Sequence, residues 1–223
     1  EATISGVTAF DSDGVTLGSE NQSNGGSTNY VAWCWKANGA GSANTDGTIN
    51  STVSVNTTAG FSIVKFTGSG ANATVGHGLG SAPRMMLFKN LDQGSEGWFV
   101  YHESIGNTKR LLLNDNSATS TSSTFWQDTS PTSSVFSVGS NHGCNGPHNM
   151  IAYCFAEKAG YSKFGSYTGN GNADGTFVYT GFKPAFLIVK RSDGGTENWG
   201  ISDDKRYQGG TTNNAPPSAN TVS

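Results

Sequence analysis

Apolar residues in this chain fall into short runs rich in Val, Ile, Phe, Tyr, Trp and Thr, each closed by a cluster of Gly, Asn, Asp or Ser. Runs of that length suit a pleated strand, and the small polar clusters supply the turns between strands. The pattern predicts strands at 30–36, 60–67, 84–90, 98–102, 109–114, 133–138, 150–157, 161–167, 176–180, 184–191 and 199–202, with little room for helices. So many short strands at near-regular spacing predict an all-β chain built from antiparallel, β-sandwich-like units. In Met85-Met86-Leu87-Phe88 and Ala185-Phe186-Leu187-Ile188-Val189 the apolar residues are continuous rather than alternating. Both faces of these two strands are therefore expected to be covered. Each run closes on a polar step, Lys89-Asn90 or Lys190-Arg191, the expected exit from core to water.

The pattern also repeats. Gly60-Phe61-Ser62 and Phe66-Thr67-Gly68-Ser69-Gly70 return as Gly160-Tyr161-Ser162 and Tyr167-Thr168-Gly169-Asn170-Gly171. Pro83 and the apolar run behind it return as Pro184 and its run, and Trp98 returns as Trp199, each pair 101 positions apart. In the other direction, Tyr30-Val31-Ala32-Trp33-Cys34-Trp35 corresponds to Met150-Ile151-Ala152-Tyr153-Cys154-Phe155, and Val15-Thr16-Leu17-Gly18 to Phe136-Ser137-Val138-Gly139. Self-similarity of this kind marks repeated supersecondary units, here about 100 residues each. Residues 1–58 then read as the C-terminal half of a unit, 59–158 as a complete central unit and 159–223 as the N-terminal half of another. The expected repeat core is Pro83, Trp98, Pro184, Trp199, Cys34 and Cys154. A half unit alone would expose strand edges and an apolar face. Three completions are open: the halves pair within one chain, the tail of one protomer is completed by the head of the next, or the chain is a piece of a longer array. The second is strand complementation, which propagates head to tail into a filament.

Four segments carry a family resemblance. They are Tyr30-Val31-Ala32-Trp33-Cys34-Trp35-Lys36, Gly76-His77-Gly78-Leu79-Gly80-Ser81-Ala82-Pro83, Ile151-Ala152-Tyr153-Cys154-Phe155-Ala156-Glu157 and Phe164-Gly165-Ser166-Tyr167-Thr168-Gly169-Asn170-Gly171. Together they resemble an uncharacterised repeat domain of tail-fibre and structural proteins of aquatic bacteriophages. The resemblance implies a fibre role at a virion or other extracellular surface and gives no catalytic assignment.

Composition narrows the partners. Only 13% of residues are charged, against roughly 25% in an average soluble domain. The net charge of -3 comes with no basic cluster longer than the pairs Lys109-Arg110, Lys190-Arg191 and Lys205-Arg206, so no nucleic-acid partner is expected. No apolar stretch reaches the roughly 18 residues of a membrane span, so membrane insertion is not expected either. The N-terminus lacks the basic-then-apolar pattern of a signal peptide.

Candidate chemistry is thin. The loop from Asn141 to His148 sets His142, Cys144 and His148 close together, but their spacing matches no standard zinc site. Asp11-Ser12-Asp13-Gly14 opens like a calcium loop, yet Gln22 stands where the bidentate Glu belongs. His77, between two glycines, reads as a turn residue, Cys34 and Cys154 as small buried thiols, and Cys144 as a loop thiol open to solvent. No nucleophile elbow, phosphate loop or framed carboxylate pair appears, so neither enzymatic activity nor a cofactor is expected. Sequons at Asn21, Asn50, Asn56 and Asn72 are candidate glycosylation sites. Trp126 lies outside the repeat match and is the candidate exposed contact for a ligand such as a surface glycan. The expected function is a self-assembling fibre subunit, with a glycan-recognising tail-fibre module as the alternative.

Overall fold

A computed structural model describes residues 6–30 and 32–205. The chain divides into two units, residues 1–35 and 36–223.

The first unit holds β1 (Val7–Phe10), β2 (Val15–Leu17) and the single-turn α1 (Asn21–Asn24). Asp11-Ser12-Asp13-Gly14 is the turn of the β1–β2 hairpin, closed by the Asp11 N–H on the Gly14 carbonyl at 2.9 Å. Among the described residues of this unit only Gly6 is buried, while Phe10 is 87% exposed and Trp33 and Trp35 stand in water by 41% and 46%.

The second unit holds β3 (Ser42–Asn44), β4 (Ser51–Asn56), β5 (Phe61–Thr67), β6 (Ala73–Gly76), β7 (Met85–Asn90), β8 (Phe99–His102), β9 (Lys109–Leu112) and β10 (Ser120–Thr121). It continues with α2 (Ser123–Trp126), β11 (Val135–Val138), α3 (His142–Asn145), β12 (Asn149–Phe155), β13 (Phe186–Val189) and β14 (Gly200–Asp203). Eight of these strands form one antiparallel sheet in the order β10-β9-β8-β7-β12-β5-β4-β3. The all-β expectation holds, since the helices are single turns. β12 sits in the middle because its alternation serves both neighbours: Met150, Ala152 and Cys154 point to the buried face, Ile151, Tyr153 and Phe155 to the other. At the start of β5, Gly60 adopts φ 68° and its carbonyl accepts the Ala156 N–H at 2.7 Å. A Cβ there would lie 2.4 Å from the Ala156 oxygen, so this close approach admits only glycine.

One face of the sheet is the main core. Val64, Phe66, Met86, Phe88, Phe99 and Met150 pack under the β6–β11 ribbon and the two helical turns. Phe88 is central, with ring centroids 5.0 Å from Trp126 and 5.2 Å from Phe136. The second face carries Val100 and Leu111, which bury Trp199 together with Met85, Leu87 and Ile188. The β13–β14 hairpin thus docks on that face, and the Trp199 indole N–H holds the Leu112 carbonyl at 2.8 Å.

Several expectations change. Among the described residues, 30 and 32–36, 161–167 and 176–180 form no strand, and Phe177 and Tyr179 are 86% and 78% exposed. Strand propensity without a neighbour to pair with does not fix a strand. β13 belongs to a sheet of two strands and is covered on one face alone: Ile188 packs on the main sheet while Leu187 is 50% exposed, so the expected cover on both faces is not met. β3 and β4, which lie before the expected boundary at 58, are the edge of the eight-stranded sheet.

Candidate assembly interface

The two chain ends reproduce pieces of the central architecture, with several of the same hydrogen bonds. β13 and β14 pair with Phe186 opposite Asp203 and Val189 opposite Gly200, which is the β7–β8 register of Met85 opposite His102 and Phe88 opposite Phe99, moved by 101 positions. At the same shift, Lys89 Nζ donates to the Glu96 carbonyl at 2.5 Å and Lys190 Nζ to the Glu197 carbonyl at 2.8 Å. The Glu103 N–H reaches the Arg84 carbonyl at 2.8 Å, and the Asp204 N–H the Ala185 carbonyl at 2.9 Å. Upstream, Ser69 Oγ accepts the Ala71 N–H, as Asn170 Oδ1 accepts the Asn172 N–H, and Gly70 and Gly171 both adopt φ 70°.

The head mirrors the other half of the central architecture. α1 spans 21–24 and α3 spans 142–145, a shift of 121. Asn24 Nδ2 donates to the Gly18 carbonyl at 2.7 Å, and Asn145 Nδ2 to the Gly139 carbonyl at 2.7 Å. β2 matches Phe136–Val138 of β11 at the same shift. The shifts of about 120 and 101 differ because the head is followed by the segment that forms β3 and β4, which has no counterpart after Phe155.

What differs is burial. In the centre Phe136 and Val138 are fully buried, whereas Val15 and Leu17 in β2 are 45% and 42% exposed. Met86 is 1% exposed and its counterpart Leu187 50%. Asn145 is fully buried, with Oδ1 accepting the Ser69 N–H at 3.0 Å and Nδ2 also reaching the Ala71 carbonyl at 2.6 Å, whereas Asn24 is exposed. Of the large apolar side chains most exposed to water, only Leu91 lies between 36 and 160. The exposed apolar surface is concentrated at the two ends, in elements whose central counterparts are core.

The residues singled out from sequence divide accordingly. Pro83, Trp199 and Cys154 are buried, Trp98 is half-buried with its ring 6.1 Å from Tyr153, and Pro184 and Cys34 are exposed. Pro184 and Cys34 are corrections: both lie in end segments that lack the cover their central counterparts have. Trp126 is a third, because it is 1% exposed, packed on Phe88 and Tyr101, and its indole N–H donates to the Lys109 carbonyl at 2.9 Å. It presents no surface to a ligand. Cys144 is fully buried in α3, and burial pushes its thiol and that of Cys154 up to about 12. Of the sequons, Asn21, Asn50 and Asn72 are exposed, while the Asn56 amide is engaged with the Lys36 carbonyl and the Ala59 N–H. Asn24 and Asn145 went unnoticed in the sequence. Their signal is a shared spacing, Gly18-Ser19 and Gly139-Ser140 each followed by Asn six positions after the Gly.

Other chemistry is spoken for. His77 is buried, with Nδ1 accepting the Leu79 N–H and Nε2 against the Thr132 carbonyl, each at 3.2 Å. Among the described residues no three His, Cys, Asp or Glu side chains cluster to hold a metal. A shallow cleft of about 390 Å³ is lined by Arg84, Tyr101, Glu103 and Glu157. Arg84 pairs with Glu103, and Glu157 pairs with Lys163 at 2.8 Å, which holds the Glu157 carboxyl below its usual range. A proton donor needs the opposite shift.

No curated protein and no solved structure matches the chain. A family model does match, over residues 1–223, and the chain belongs to that family, described as a domain of unknown function (DUF7483).

Proposed function

We propose that this chain is a structural subunit of an extracellular or virion fibre, in which the head of one copy completes the tail of another by β-strand complementation. The observation that carries the reading is the pair of matched ends: the tail has the local geometry of the loop after β5 and of the β7–β8 hairpin, the head that of β11 and α3, and Val15, Leu17 and Leu187 stand in water where Phe136, Val138 and Met86 are buried. Read from the tail of one copy into the head of the next, the elements follow in the order of the central unit. Within one chain the same elements would make a permuted unit. On this reading the repeat is a β-sandwich-like unit of about 100 residues, and head-to-tail contacts that do not close a ring generate a filament. The bacteriophage resemblance favours a virion as the setting of such a fibre; other extracellular surfaces pose the same requirement.

Sedimentation velocity over a range of micromolar concentrations, with negative-stain electron microscopy of the same samples, tests the proposal. The expected result is a concentration-dependent series of species ending in unbranched filaments. A strictly monomeric chain across that range would overturn it.

A further inference from the structure

The matched geometry of the two ends bears on register as well as on association, because the central unit supplies a template for both. In the centre, β12 runs antiparallel to β7 with Cys154 opposite Met86 and Ala152 opposite Phe88. The counterpart of Cys154 is Cys34, 120 positions earlier, and the counterparts of Met86 and Phe88 are Leu187 and Val189, 101 positions later. A second contact fixes the same alignment from a different place. Asn145 sits over the loop after β5, accepting the Ser69 N–H on Oδ1 and the Gly70 N–H on its carbonyl at 2.7 Å, and donating to the Ala71 carbonyl. The tail carries that loop in the same conformation at Asn170, Gly171 and Asn172, exposed. The head carries the matching amide, Asn24, already bonded to Gly18 as Asn145 is to Gly139.

We infer that the second copy docks with its residues 32–35 antiparallel along β13, Cys34 opposite Leu187, and its Asn24 bridging the loop at 170–172. This rests on the fibre reading above and adds the occupant and the register. Asn24 Oδ1 accepts the Asn170 N–H, its Nδ2 reaches the Asn172 carbonyl, and its own carbonyl accepts the Gly171 N–H. Leu187 is then covered as Met86 is. An amide bonded on both sides, buried only on assembly, selects one alignment, since a slip of one residue would turn every side chain of the added strand over and leave the amide unsatisfied.

The chemistry of cysteine offers the test. Opposite residues of an antiparallel pair have Cα atoms about 4.5–5.5 Å apart, inside the range a disulfide spans. Cys34 is exposed, while Cys144 and Cys154 are buried with thiols raised to about 12, so Cys34 is the reactive native thiol. Under mild oxidation the full chain carrying Leu187→Cys is expected to give a ladder of covalent multimers on a non-reducing gel, collapsed by reductant, and Val189→Cys is not. A ladder from Val189→Cys instead, with unmodified protein still assembling, would overturn the register and leave the fibre reading standing. A Leu187→Cys product that is an internally bridged monomer would overturn the second copy as occupant. Independently, Asn24→Ala is expected to weaken association on the order of tenfold or more by sedimentation, with the near-ultraviolet circular dichroism of the central aromatics unchanged. Wild-type association by that variant would overturn the role of Asn24.

Discussion

Trp126 and His77 are polar-capable side chains sealed in the main core, and each is held there by hydrogen bonds to the backbone. For Trp126 the bond is to the Lys109 carbonyl, and the ring fills the space between Phe88 and Tyr101. Trp126→Ala is expected to cost about 3–5 kcal/mol, read as a lower urea midpoint. His77 must stay neutral to accept from Leu79, and burial lowers its pKa from 6.5. The unfolded chain therefore takes up a proton near pH 6.5 while the folded chain does not. Stability is full above that pH, falls as pH drops from about 6.5 toward the lower folded value, and levels off below it. His102, also lowered by burial, adds to the same slope. Urea unfolding between pH 8 and 5 is expected to show this decline, with a shallower slope in His77→Gln.

At the scale of elements, position in the sheet matters more than strand propensity. β7 and β13 are both continuously apolar over four matched positions, yet β7 lies inside eight strands and β13 inside two. What holds the β13–β14 hairpin is Trp199 against Val100 and Leu111, with its indole bonded to Leu112. Trp199→Ala is expected to speed amide exchange at 186–189 and 200–203 while leaving protection in β7 and β12 unchanged, measured by hydrogen exchange with mass spectrometry. Equal loss of protection in β12 would mean that the hairpin and the main sheet unfold together.

For the whole molecule, the proposed contact is made of backbone hydrogen bonds, one amide and apolar surface, in a chain with only 13% charged residues. Charge screening has little to act on there. The association constant is therefore expected to change by less than about twofold between 50 and 500 mM salt, measured by sedimentation. A steep decline with salt would assign the contact to ion pairs instead.

Sequence pattern alone determined the strand-rich character, most central strands and the repeated phrases, because alternation, turn residues and self-similarity are local and survive without coordinates. It placed Trp98 and Trp199 as counterparts, and the two hairpins share a register at that shift. Burial was decided only by the tertiary structure. Trp126 looked free because it stands outside the repeat, yet α2 turns it onto Phe88. Cys34 and Cys154 sit in matching phrases, and only Cys154 is buried, because only β12 has strands on both sides. A residue's neighbours along the chain set which face it takes; whether that face is covered depends on segments far away in sequence.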